Sequence, residues 1–304
     1  MKKIRSTFTA PLLVLVIYLL LVLSRYIDVE ALKYRGSIYL SLIILQMLIF
    51  ILPGVFYGSL RGKGLQKKIK KKKPGLRDIW FIFTAFGVML FGSTLINFVS
   101  YSLIKTETQY SLYNTFSPGS TGTVSGIAYI VIAFAILPAI TEEYVFRGII
   151  LSEYSEYGVF TAILMSSLMF AMLHFNLTQF VSYFFCGAVA AYTVYVTQSI
   201  YAGMLLHFVN NIYAIFFETF LWDVIQSPNS VVFFLFAAIT AFLFFLGLSF
   251  SSAERITQMS GLKGEKPPDE AVKREGGIRL VFESLASPSF LACVIVYVVV
   301  ILVL

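Results

Sequence analysis

Nine mostly apolar runs, separated by short polar segments, dominate this sequence: 8–26, 37–60, 79–104, 124–150, 158–175, 178–196, 199–220, 230–250 and 287–304. A helix needs about 20 such residues to cross the hydrocarbon core of a bilayer. In lipid every backbone N–H and C=O must find its partner inside the protein, which a helix achieves within one segment. The expectation is therefore an all-α fold, a polytopic transmembrane helix bundle of about eight to nine spans. The fifth and sixth runs are tight enough to tilt or re-enter. Composition agrees: 58% of the 304 residues are hydrophobic and only 13% are charged, whereas soluble domains run near a quarter charged. A soluble chain of this length could not enclose so much apolar surface. The 30 Phe and 18 Tyr suit packing mass and interface anchors.

Charge sets the orientation. The formal net charge is +7, and the basic residues cluster between apolar runs, so topology and anionic lipid are better explanations than nucleic acid. With the first segment in the cytoplasm and every run crossing, 1–7, 61–78, 151–157, 197–198 and 251–286 lie inside. Counting Arg147 at an inner helix end, that side holds 19 of the 23 Lys and Arg, leaving Arg25, Lys33, Arg35 and Lys105 outside. The run Lys67, Lys68 and Lys70–Lys73 reads chiefly as a topology signal on a solvated loop. Lys2, Lys3 and Arg5 precede the first run, but no small-residue cleavage site follows it, so a retained span is expected. Three regions are expected: N-terminal helices with a basic cytoplasmic loop over 1–123, a catalytic helical core over 124–220, and C-terminal helices over 221–304 with a polar linker at 251–286. The stretch 111–126, rich in Ser, Gly and Pro, reads as an external loop. Cys186 and Cys293 both sit within apolar runs and read as buried small hydrophobes.

Ionisable groups inside apolar runs are expensive and suggest function. Here the core group is Glu142, Glu143, Arg147, His174 and His207, the last two being the only histidines in the chain. Adjacent helical residues point about 100° apart, so Glu142 and Glu143 cannot share one task. Glu143 and Arg147 are spaced i, i+4 with the acid first, the favourable order for an ion pair. Glu142 is then the free carboxylate. Pro138, one turn earlier, should kink the helix. Phe170 and His174 share one helical face, as do His207 and Asn211.

The three elements Glu142-Glu143-x-x-x-Arg147, Phe170-x-x-x-His174 and His207-x-x-x-Asn211 occur in that order. They resemble the motifs of the CAAX-protease and bacteriocin-processing (CPBP, Abi) family of intramembrane endopeptidases, over about 124–220. The resemblance implies that Glu142 is the general base that activates water and that His174 helps hold that water. It implies that His207 and Asn211 stabilise the oxyanion, while Glu143, Arg147 and Phe170 lend structural support. Asparagine and histidine donors aimed at a developing oxyanion can supply a factor of order 10²–10³ in rate. Two histidines and a glutamate can also ligate catalytic zinc, but HExxH is absent and Asn211 is a poor zinc ligand, so no metal and no cofactor are expected. The partners implied are a peptide or protein substrate at the membrane and membrane lipids, with no nucleic acid, and the setting a bacterial plasma membrane. The alternative is a non-catalytic membrane scaffold or immunity protein of the same fold.

Overall fold

The computed structural model describes residues 6–27, 38–104, 124–218, 231–262 and 277–303. Among these residues the chain is helical, without a named strand. In chain order the helices are α1 (Ser6–Ser24), α2 (Ile38–Arg61), the short α3 (Lys63–Lys68), α4 (Leu76–Ile104), α5 (Gly126–Tyr157), α6 (Val159–Leu173), α7 (Phe180–Thr197), α8 (Ile200–Phe216), α9 (Val231–Leu262), α10 (Gly277–Leu285) and α11 (Pro288–Val303).

Six of these helices are long and apolar enough to cross a membrane, and a seventh span arises if α10 and α11, bent by 57°, count as one. The expected nine runs are all helical where described, but α6 with 15 residues and α8 with 17 fall short of a full crossing. At 1.5 Å per residue they reach about 22 and 25 Å, against about 30 Å of hydrocarbon. Apolarity alone did not reveal where these helices stop. Phe175 takes a left-handed backbone (φ 45°) directly after His174 and ends α6. Its ring packs edge-on to Tyr18 at 5.4 Å and stacks with Tyr297 at 6.2 Å, contacts that hold a conformation disfavoured for residues with a Cβ. Gly158, with φ 98°, makes the sharp turn between α5 and α6.

The long helix α5 departs most from expectation. It runs to Tyr157 rather than ending near 150, so Glu142 is its 17th residue of 32, at the middle of the helix. Pro138 does not break it. A π-helical segment, Ile132–Ile136, precedes the proline, α-helical geometry resumes over Leu137–Glu143, and a second π segment follows at Tyr144–Ile150. A π turn accommodates one extra residue and redirects the carbonyls around a missing N–H.

One end of the bundle gathers the basic segments. Arg61 binds both carboxylate oxygens of Glu153, at 2.7 and 2.5 Å, and donates to Ser6 Oγ at 2.9 Å. Lys68 pairs with Glu156 at 2.6 Å, and Ser152 Oγ donates to the Lys68 carbonyl. The lysine segment is pinned to the α7–α8 turn, where the amide of Ile200 donates to the Lys70 carbonyl at 2.8 Å and that of Lys72 to the Gln198 carbonyl. Ser199 caps α8 by accepting from the Ala202 amide. The basic segment is thus partly docked on the protein rather than wholly solvated, and burial holds the Lys70 ammonium below the ordinary lysine range. At the other end, Arg25 lies over the Phe175 ring at 5.8 Å.

α5, α6, α7, α8 and α4 pack around a common interior, with α9 laid against α4 and α1 against α11. The polar stretch expected as a linker over 251–286 carries helix at both ends, α9 reaching Leu262 and α10 starting at Gly277. The rest of that stretch, and the loop expected over 111–126 as far as residue 123, lie outside the described residues.

Candidate active site

Glu143 is the centre of a buried polar knot. Its Oε1 accepts from Arg147 Nη1 at 2.6 Å, and both side chains are fully buried. Arg147 Nη2 donates to the Gly187 carbonyl at 3.1 Å, and its guanidinium lies 4.3 Å from the centre of the Phe170 ring. The ion pair read from the i, i+4 spacing is therefore present. The sequence did not show that Glu143 Oε1 also accepts from His207 Nδ1 at 3.0 Å. A carboxylate oxygen accepts, so His207 Nδ1 carries a hydrogen and Nε2 is the ring nitrogen left for a further partner.

His174 sits at the C-terminal end of α6. Its Nδ1 donates to the Phe170 carbonyl at 3.0 Å, again leaving Nε2 with the lone pair. The ring stacks flat on Tyr183 of α7, with centroids 3.8 Å apart and planes 15° apart. Phe170 stands edge-on to both histidines, 5.0 Å from His174 and 5.7 Å from His207. One phenyl ring thus spaces two imidazoles and one guanidinium.

Glu142 takes no part in that knot. It faces a cavity of about 430 Å³ that is also lined by His174, His207 and Asn211. Its Oε2 is buried without a hydrogen-bond partner among the described residues, and a buried polar atom in that condition calls for an explanation. Asn211 Nδ2 lies 3.5 Å from the carbonyl of Ala135, the outer limit of a hydrogen bond. Ala135 belongs to the π segment before Pro138, and Pro138 itself lines the cavity.

All seven residues read from the sequence are together: Glu142, His174, His207 and Asn211 line one cavity, Phe170, Glu143 and Arg147 reach it from below. Some participants carried no sequence signal. Tyr183 is one, nine residues after His174 with no shared helix. Gly203 is another: a Cβ there would lie 2.8 Å from Glu143 Oε2 and 2.6 Å from Val194 Cγ2, so its lack of a side chain admits Glu143 against α8. The only hint was a glycine one turn before His207. Asn97 and Asn210 add polar groups to the wall. Among the described residues no three His, Cys, Asp or Glu side chains are arranged to hold a metal ion. Cys186 lines the same cavity, and Cys293 is buried with its Sγ toward the Pro11 carbonyl.

Residues 124–213 match the family model described as type II CAAX prenyl endopeptidase Rce1-like. The match covers 90 of the 304 residues. The resemblance read from the three motifs is borne out over this segment, which contains every position from Glu142 to Asn211. No curated protein and no solved structure matches the chain. Rce1-like proteins form a protease family, which supports a peptidase in general. Together with the long apolar helices it supports an integral membrane protein.

Proposed function

We propose that this chain is an intramembrane endopeptidase of the CAAX type that cleaves a peptide or lipidated protein beside a bacterial plasma membrane. The observation that carries the reading is Glu142, a buried carboxylate whose Oε2 has no hydrogen-bond partner among the described residues and which shares a cavity with two histidines and an asparagine. Buried carboxylates without a task are costly.

In the proposed reaction Glu142 takes a proton from water, which His174 Nε2 orients by accepting the other hydrogen. The water oxygen bonds to the scissile carbonyl carbon, and its π electrons move to the carbonyl oxygen. Asn211 Nδ2 donates to that oxyanion, and His207 adds a second donor through Nε2–H while its Nδ1–H stays on the Glu143 carboxylate. Glu142 then gives its proton to the amide nitrogen as the C–N bond breaks. Base catalysis of this kind contributes about 10²–10⁴ in rate, and the oxyanion donors about 10²–10³ more. The Glu143–Arg147 pair and Phe170 hold the histidines in place. The proposed reaction draws on the cavity's own side chains.

The experiment is a proteomic comparison of membranes carrying wild-type protein and Glu142→Gln at equal abundance. A peptide product present with the first and absent with the second supports the reading. Identical peptide profiles would leave a non-catalytic scaffold as the better account.

A further inference from the structure

The residues that line the cavity lie toward the end of the bundle remote from the lysines. α8 begins at Ile200, tied to the Lys70 carbonyl. The residues it gives the cavity start at His207 and extend to Ala214, with Glu218 beyond its end. α4 enters beside Arg77, yet lines the cavity only with Met89, Ser93 and Asn97. Asn97 lies 20 residues, about 30 Å of helix, from the basic end. α6 starts near the basic end and contributes at its far terminus through His174. α7 runs the opposite way and contributes its early residues, from Gln179 at its N-cap to Ala190.

Below the cavity the way to the basic end is closed. Val145, Ile149 and Val194 are fully buried and Ile200 is 4% exposed, and all four belong to one packed cluster. Contacts there are tight: a Cβ on Gly148 would stand 3.0 Å from Ile200 Cδ1. Above this layer the Glu143–Arg147–His207 knot forms the floor.

The basic end carries Arg61, Lys63, Lys67, Lys68, Lys70–Lys73 and Arg77, nine cations in 17 residues, while the described residues at the cavity end hold Arg25. Lys and Arg in short loops mark the cytoplasmic side. We infer that the active-site cavity opens to the non-cytoplasmic face, and that its substrate is a membrane-associated peptide segment exposed on that face, not the C-terminus of a cytoplasmic prenylated protein. The substrate half of this inference rests on the protease reading above; the sidedness does not.

Labelling tests the sidedness without turnover. In a background with Cys186→Ala and Cys293→Ala, a single cysteine is placed at the exposed Leu177, in the turn at the cavity mouth, or at the exposed Lys73. Cells are treated with a membrane-impermeant maleimide before or after permeabilisation. Leu177→Cys is expected to label fully in intact cells, and Lys73→Cys at least about tenfold more after permeabilisation than before. The reverse pattern overturns the inference, whatever the catalytic outcome. Adding Glu142→Gln leaves the labelling unchanged. The expected labelling, with no Glu142-dependent peptide in the medium or outer leaflet, would overturn the substrate assignment while the sidedness stood.

Discussion

His207 Nδ1 and Arg147 Nη1 converge on the same oxygen of Glu143, at 3.0 and 2.6 Å. Glu143 is therefore a junction between a structural cation and a residue of the proposed oxyanion site, and its removal has two separable effects. Glu143→Gln leaves Arg147 buried without its counter-charge, a loss of about 3–5 kcal/mol. Removing both charges, with Glu143→Gln and Arg147→Met, should recover most of the lost melting temperature in detergent. Activity per folded molecule should stay low, because His207 still lacks its carboxylate. A double variant that regains both would show that His207 needs no anchor.

Glu142 and Glu143 are neighbours in sequence with different proposed tasks. Glu142→Gln keeps the shape and removes the base, so it should yield a folded, normally abundant protein whose turnover falls by about 10²–10⁴. Full turnover by Glu142→Gln, with a stable but inactive Glu143→Gln, would reverse the two assignments.

Gly203 offers a steric test of the same carboxylate. A methyl group at this position must displace Glu143 Oε2 or Val194. Overpacking of this kind costs about 1–3 kcal/mol. Gly203→Ala should lower the melting temperature and depress activity without touching any charged residue. An unchanged melting point and rate would mean that the helices separate freely here.

The stack of His174 on Tyr183 predicts a graded series. Tyr183→Phe retains the ring and should leave turnover within about twofold. Tyr183→Ala frees the imidazole and should cost roughly tenfold, since an aromatic pair is worth about 0.5–1.5 kcal/mol. Equal rates for the two variants would remove any positioning role for the ring.

The zinc alternative is settled by measurement of the metal. Activity is expected to survive dialysis against strong chelators with no metal added. Stoichiometric zinc in active protein, lost with activity on chelation and restored with it, would replace the glutamate mechanism.

Much of this site was legible because charge inside an apolar run is conspicuous. Glu142, Glu143, Arg147, His174 and His207 stand out by residue type, and their i, i+4 spacings give faces without any tertiary information. The pairing of Glu143 with Arg147 followed from spacing alone. The bond from His207 to Glu143 did not, because it joins residues 64 positions apart and depends on how α8 packs against α5. Tyr183 and Gly203 were hidden for the same reason: one is an aromatic among 48 Phe and Tyr, the other a glycine whose value lies in what it leaves empty. Helix existence was read correctly where described, but helix length was not. The end of α6 is set by the left-handed turn at Phe175, and the continuation of α5 to Tyr157 by the ion pairs of Glu153 and Glu156.

The two π segments of α5 isolate the seven residues Leu137–Glu143 between them. Each π turn stores one residue more than the α path requires. A spare residue on each side changes the angular phase of this short block relative to the helix before and after it. Glu143 ends the block and is held by Arg147 and His207, so the phase is locked. The direction in which Glu142 faces the cavity is therefore set jointly by two bulges and one buried ion pair, and shortening either bulge by one residue would turn its carboxylate by about 100° away from the cavity.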